Sequence, residues 1–567
     1  MSSTQARSDS RLLTSIDRMT LVEGFVHYVR TAGEVVALKD LDSTTQITWR
    51  EYGERVSRLA AGLLSLGVQR GDTVGMMMTN RVEFHLLDTA ALMLGAIPFS
   101  LYNTSSPEQI EHILTNAGSR VIFCEERYVT AVQEAGAACV EDIRVIDRNG
   151  TLESLESQGA ATRNGPVDLE DLAGKVGPED VATLIYTSGT TGPPKGVELT
   201  HANLIADWNS LVARLPMREY GRVLSYLPAA HLADRFCAQY ASHLAGFTIT
   251  CVPEPARLLE ALIKVRPTTF SSTPRVWEKF HAALSAQARD DEAKRNAMAP
   301  DVDGTDGVAE VRAALLAQLG LDDLDWATSG SAPIAPSVLR AFAALGLPIS
   351  EIWGSTEIGC VGTANPLDDV RFGTVGPVLP GIEAKVADDG ELLIRGPNVM
   401  RGYRNDPEKT AEAIDADGWL HTGDIAQIDP DGYVRIIDRK NEMIITSSGK
   451  NISPVNIERA LKSAGPMIGQ ACVIGDQRPY VTALVVLDPD GADGLDPTDP
   501  AARQRVADEV DVANATLSRP EQVKHFTLLA DEWLPDGDEL TPTMKLKRRS
   551  IATKYASVIE AMYSDGL

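Results

Sequence analysis

The chain has 567 residues, 44% of them hydrophobic, with 53 Lys and Arg against 79 Asp and Glu and a formal charge of −26. That is enough apolar material for large cores and more length than one core serves, so at least two domains are expected. The acidic balance argues against nucleic acid or an anionic membrane as a default partner. Six scattered cysteines without CxxC spacing suit free thiols in a reducing, cytoplasmic compartment better than a disulfide frame or a zinc site.

The first twenty residues are polar and broken by charges, which reads as a flexible lead-in without a signal peptide. Helical patterns over 49–66 and 83–94 alternate with β-branched or apolar runs over 73–77 and 120–124, the signature of βαβ units. Leu86 to Tyr102 contains Asp88, Gly95 and Pro98, too short and too interrupted a run to cross a bilayer, and it predicts a buried helix running into a strand. Contact with a membrane surface is left open, although no dense basic amphipathic segment announces it. Val181 to Ile185 predicts a strand. The charged, Pro- and Gly-bearing segment 288–306 predicts a mobile surface insertion. After Gly373 come short strands over 384–386, 391–395, 426–428 and 433–437, with Asp-Gly turns at Asp389, Asp417 and Asp431. A helix over 454–462 and a strand over 481–487 follow.

Between Tyr186 and Val197 the chain reads YTSGTTGPPKGV. Thr187, Ser188, Thr190 and Thr191 offer hydroxyls, Gly189 and Gly192 let backbone N–H groups turn toward an anion, and Lys195 adds a mobile positive charge. Such a loop at a strand end suits a polyphosphate. It is not the P-loop of common NTPases, because Pro194 stands where that motif requires glycine and Gly196 follows the lysine.

This string resembles the signature of the adenylate-forming superfamily of acyl-CoA synthetases, nonribosomal adenylation domains and luciferases, and further motifs follow in the family's order. The resemblance implies a large N-terminal α/β domain over 1–437, built from two α/β sheet subdomains and a small β-barrel-like subdomain. A small, mobile α+β domain over 438–567 would follow, hinged at Asp438. Leu227-Pro228-Ala229-Ala230-His231, followed by Asp234 and Arg235, and Ser272 to Lys279 (STPRVWEK) resemble long-chain acyl-CoA synthetases in particular, which place the histidine beside the acyl carboxylate. The stretch Ala327 to Pro333, with Ser331, Ala332 and Pro333, resembles the loop lying against adenine. In Trp353-Gly354-Ser355-Thr356-Glu357 the ring would wall the adenine or acyl site, Thr356 would reach a phosphate oxygen and Glu357 would hold Mg²⁺, although similar proteins more often begin this motif with tyrosine. By resemblance, Asp424 of Thr422-Gly423-Asp424 would accept the ribose hydroxyls, Arg439 would face ribose or the α-phosphate, and Gly449 would line the pantetheine tunnel. Lys545, in Leu540 to Arg549 (LTPTMKLKRR), would be the adenylation lysine, with Lys547 the runner-up. Lys547, Arg548 and Arg549 otherwise read as a solvent-facing basic tail.

The implied reaction has two halves. A fatty carboxylate attacks the α-phosphorus of Mg-ATP to give acyl-AMP and pyrophosphate, and the thiol of coenzyme A then displaces AMP. A carrier protein in place of coenzyme A is the alternative acceptor, for an acyl-AMP ligase; oligomeric state is left open.

Overall fold

In the computed structural model, which describes residues 12–42, 46–147, 150–161, 165–187, 193–300, 307–447, 450–492, 494–534, 537–541 and 545–564, the apolar runs expected near 73–77, 120–124 and 181–185 are strands of one sheet. The strands Asp142–Val145, Val121–Cys124, Thr73–Met77, Ile97–Ser100 and Val181–Thr187 run parallel in that spatial order. The sheet turns antiparallel at Lys195–Thr200 and ends at Gly402–Tyr403. Its central strands are buried along their whole length, as a parallel sheet covered on both faces requires. The helix Val82–Met93 is buried on nearly every side and leads into Ile97–Ser100, the helix-to-strand passage predicted from sequence. Helix Trp49–Ser65 starts where Thr48 accepts the Glu51 N–H, and Ser106 and Thr200 close capping boxes with Gln109 and Asn203 at the starts of two others.

The contacts divide the chain into two compact units, the first comprising Met1–Gly330, Ser337–Glu383 and Ile394–Leu420, and the second Ser331–Pro336, Ala384–Leu393 and His421–Leu567. Two further four-stranded sheets lie in the first unit, which also pairs Leu12–Leu13 with Met217–Arg218. One orders Arg222–Ser225, Thr248–Cys251, Val36–Asp40 and Gln46–Thr48; the other orders Thr269–Ser272, Trp326–Ser329, Ile349–Trp353 and Thr363–Ala364. Of the segment 288–306, residues 301–306 lie outside the described residues; within the rest, Glu292–Met298 is helical, with Asp291 capping the Lys294 N–H, Ala297 buried, and Arg312 donating to the Ala297 carbonyl.

In the second unit, strands Leu420–Ile428 and Val434–Arg439 form a hairpin of the sheet that also holds Glu383–Val386 and Glu391–Arg395. The glycines of the three Asp-Gly pairs, Gly390, Gly418 and Gly432, all take positive φ, which is why these turns want glycine. Further on, Ile468–Ile474, Val481–Leu487 and Val523–Leu529 form a three-stranded sheet. Helices Pro454–Ala464 and Pro500–Thr516 contribute to a core with Ile457, Leu461 and Val506, while Trp533, Ile551 and Ile559 belong to a second cluster built on Leu484 and Val486. The alternating inward faces of the same strands thus supply both cores. All six cysteines are free thiols. Among the described residues, no helix is long and apolar enough to cross a membrane.

Candidate functional site

Thr187 and Lys195 face each other as the last and first residues of paired antiparallel strands, so the described ends of the signature string lie side by side. Ser188, Gly189, Thr190, Thr191 and Gly192 lie outside the described residues. The hairpin base is held by Tyr186, whose buried phenol donates to Asn116 Oδ1 at 2.8 Å, and Gly196 has no side chain because a Cβ there would come within 2.9 Å of the Tyr186 ring. The Lys195 ammonium sits 4.1 Å from the centroid of the Tyr403 ring, on the strand paired with its own.

Tyr403 also reaches the second motif: its O–H donates to Glu357 Oε1 at 3.1 Å. The loop bearing Thr356 and Glu357 is pinned at several points. Met400 N–H donates to the Glu357 carbonyl at 2.8 Å, Asn398 Nδ2 to the Ile358 carbonyl at 2.8 Å, and Val361 N–H to the buried carboxyl of Asp207 at 3.1 Å. Burial pushes the Asp207 carboxyl well above the usual carboxylate range. Gly354 lies against the chain's own return, where a Cβ would meet the Cys360 carbonyl oxygen at 1.9 Å, and Ser355 precedes the single helical turn Thr356–Ile358. The half-buried Trp353 pairs with Thr363 across the sheet edge, with its ring over Gly362.

The His231 loop is shaped from below by Asp234. Its carboxylate accepts Ser225 Oγ at 2.8 Å and the N–H groups of Tyr226 and Leu227 at 3.1 Å, closing the turn that carries His231. Burial lifts this carboxyl to about 7. Arg235 turns inward to a fully buried ion pair with Asp88. His231 Nδ1 accepts the Ala233 N–H at 3.1 Å, so in the neutral ring the proton is on Nε2. In the STPRVWEK motif, Trp277 is a core anchor that donates Nε1–H to the Thr328 carbonyl at 3.2 Å and packs edge-on against Phe270 and Phe342. It thereby supports the strand Trp326–Ser329 that leads to Ser331, Ala332 and Pro333. These three are exposed, and Ser331 takes φ +72°, a left-handed value few side chains adopt.

In the second unit Asp424 and Arg439 oppose each other across the hairpin, with Nε to Oδ1 at 2.9 Å. Glu391 fixes the preceding turn, accepting the Gly423 N–H at 2.9 Å and pairing with Lys440 at 2.9 Å. Asp438 is buried and accepts Ser453 Oγ at 2.5 Å, Arg439 N–H at 2.7 Å and Val455 N–H at 3.2 Å, so it ties the hairpin to the start of helix Pro454–Ala464. Burial raises its carboxyl above the ordinary value. Gly449 lies outside the described residues.

Lys545 is exposed and bonded back to Thr541, whose N–H donates to the Lys545 carbonyl at 2.8 Å while its Oγ1 accepts the Lys545 N–H at 3.0 Å. Lys547 instead donates its ammonium to the Gly537 carbonyl at 3.2 Å. The solvent-facing reading of Arg548 is wrong. Its guanidinium is largely buried, donating to both oxygens of Glu458 at 2.6 and 2.8 Å and to Glu442 at 2.9 Å, because two acidic side chains far back in sequence converge on it.

Among the described residues no group of three or more His, Cys, Asp or Glu side chains could hold a metal ion. A single carboxylate such as Glu357, oriented through one oxygen by Tyr403, fits a hard cation that takes most of its ligands from phosphates and water, as Mg²⁺ does, rather than a caged metal.

A family profile described as AMP-binding enzyme matches residues 25–404, and another, AMP-binding enzyme C-terminal domain, matches 441–566. The chain is 47% identical over 454 residues to fadD11 of Mycobacterium tuberculosis, covering 74% of this chain and 79% of that one; the name assigns fadD11 provisionally to the fatty-acid–CoA ligases. It is 34% identical over 564 residues to long-chain-fatty-acid–CoA ligase FadD15 of the same organism, covering 92% of each. Among solved structures, ATP-bound MatB from Rhodopseudomonas palustris aligns with a TM-score of 0.73 at 24% identity over 95% of this chain and 99% of its own. The anthranilate CoA ligase AuaEII, in complex with anthranoyl-AMP, aligns at 0.76 and 22% over 95% and 98%. At these identities the structural likeness speaks to the fold alone.

Proposed function

The chain belongs to the AMP-binding enzymes, and from that membership we propose that it joins a long-chain fatty acid to coenzyme A at the expense of ATP, by way of acyl-AMP. The observation carrying the substrate class is the likeness to FadD15 across 92% of both chains, with the fatty-acid–CoA ligase name recurring in the more similar fadD11. Coenzyme A is favoured over a carrier protein as acceptor on the same ground.

In the first half-reaction a carboxylate oxygen attacks the α-phosphorus and pyrophosphate leaves. Attacking and attacked groups are both anionic, so the protein's work is charge neutralisation and alignment. Lys195 and the Tyr186 to Val197 loop take the departing phosphates. Lys545 bridges carboxylate and α-phosphate, the role implied by the likeness of Leu540 to Arg549 to the family's C-terminal motif, while the Lys547 ammonium donates to the Gly537 carbonyl. His231 donates from Nε2 to the fatty carboxylate. Asp424 accepts ribose hydroxyls, Arg439 faces ribose or the α-phosphate, and Ser331 to Pro333 lie against adenine. Glu357, with Thr356 beside it, holds Mg²⁺, which when bound supplies Lewis-acid stabilisation of the phosphate oxygens. In the second half-reaction the coenzyme A sulfur attacks the acyl carbon and AMP leaves. Gly449 lines the thiol's approach, and the small domain, 438–567, rotates about Asp438 against the large one, 1–437, to admit it.

The test is a ladder of fatty acids, from short to very long, given with Mg²⁺, ATP and coenzyme A while pyrophosphate, AMP and thioester are followed. Thioester formation peaking with long chains supports the reading. Pyrophosphate without thioester would point to the carrier-protein alternative, and no pyrophosphate with any acid would end the proposal.

A further inference from the structure

We propose that Tyr403 is a positioning residue that couples the phosphate-binding lysine to the metal-holding glutamate. This rests on the roles given above to Lys195 and Glu357. The phenol oxygen donates to Glu357 Oε1 at 3.1 Å, and the face of the same ring carries the Lys195 ammonium 4.1 Å from its centroid. One rigid side chain therefore addresses a carboxylate by its edge and an ammonium by its face.

The backbone fixes that geometry. Tyr403 pairs with Val197 and Gly402 with Glu198, two and three residues beyond Lys195, and the Arg404 N–H donates to the Gly196 carbonyl at 2.7 Å. Arg404 pairs with Glu198 at 3.1 Å, and Met400 N–H holds the Glu357 carbonyl from the same segment. A donor on one carboxylate oxygen orients the other toward a cation, while the ring holds the lysine without consuming its N–H groups.

Two substitutions separate the two contacts. Tyr403→Phe removes the bond to Glu357 and keeps the ring under Lys195; Tyr403→Leu removes both. The first readout needs no turnover: ATP binding by calorimetry, without fatty acid, with and without Mg²⁺. Tyr403→Phe is expected to lower the Mg²⁺-dependent gain in ATP affinity about tenfold while metal-free ATP binds as in wild type. Tyr403→Leu should add a loss that is independent of Mg²⁺, and in the Lys195→Met background that added loss should vanish. Initial rates should show the Tyr403→Phe defect relieved by high Mg²⁺. A Tyr403→Phe protein with wild-type Mg²⁺ dependence overturns the proposal, as does a metal-free ATP affinity that is the same in the two variants. If Tyr403→Leu melts early and cannot be assayed, Tyr403→Phe alone decides. A wild type that releases no pyrophosphate, or Glu357→Gln and Lys195→Met variants as active as wild type, would instead refute the functional reading on which this stands.

Discussion

Asp424 and Arg439 form an ion pair across neighbouring strands of one hairpin, 2.9 Å apart, with the carboxylate buried and the guanidinium exposed. The arginine engages one carboxylate oxygen and sets the plane of the group, so a diol arriving at Asp424 meets an oriented acceptor. Hydrogen bonds to a charged acceptor contribute roughly 1.5–3 kcal/mol each. Asp424→Asn should therefore raise the KM for ATP by about tenfold or more and erase the preference for ATP over 2′-deoxy- and 3′-deoxy-ATP. Competing the three nucleotides in pyrophosphate release checks this; an Asn variant that still discriminates against the deoxy forms takes the ribose away from Asp424.

Lys545 and Arg548 are three residues apart and should fail in different ways. Lys545→Ala should cut acyl-AMP formation by about a hundredfold to a thousandfold, the range for losing a group that stabilises transition-state charge, while supplied acyl-AMP is still converted to thioester. Equal loss of both half-reactions would reject Lys545 as the adenylation lysine. Arg548→Met breaks the pairs with Glu458 and Glu442 and leaves two carboxylates without their cation, so it should lower unfolding free energy by about 3 kcal/mol. Denaturant unfolding measures that directly.

How much of this could be read from the sequence depends on the distance between partners. Helix Trp49–Ser65 and strand Val481–Leu487 lie where hydrophobic period placed them, over 49–66 and 481–487, because period is a local signal. Asp389, Asp417 and Asp431 marked their turns for the same reason. Arg548 looked solvent-facing because Lys547 and Arg549 flank it, while the residue that buries it, Glu458, is 90 positions away. Tyr403 carried no signal, since its bond to Glu357 spans 46 positions and a Gly-Tyr pair is common on a strand. The string Tyr186 to Val197 suggests a phosphate loop by its residue types, yet nothing in it indicates the ring against which Lys195 rests.

Gly354 and Gly373 offer a paired test of why the Glu357 loop needs glycine. A methyl group at 354 would lie 1.9 Å from the Cys360 carbonyl oxygen, a backbone atom that cannot yield without moving the loop. At 373 it would meet nothing, but φ is +82°. Gly354→Ala should thus lower pyrophosphate formation by about a hundredfold through displacement of Thr356 and Glu357. Gly373→Ala should cost about 1–2 kcal/mol of stability with little change in rate. Matched loss of activity in both would show the effect to be general destabilisation.

The Asp234 carboxyl makes stability depend on pH in a direction opposite to that of a salt-bridged aspartate. Burial raises it to about 7 from 3.8, against the pull of Ser225 Oγ, the Leu227 and Tyr226 N–H groups and nearby Arg235, itself paired with Asp88. Between those values the folded chain keeps a proton that the unfolded chain has released, so unfolding free energy falls as pH rises and levels off above the folded value. The slope approaches about 1.4 kcal/mol per pH unit, which amounts to on the order of 2 kcal/mol between pH 5 and pH 7. Asp234→Asn keeps an acceptor for the Tyr226 and Leu227 N–H groups and cannot ionise. The stability of wild type minus that of the variant, from urea unfolding at each pH, should therefore decline across that interval. A difference that stays level means the carboxylate is charged throughout, held by its three donors more strongly than burial opposes it.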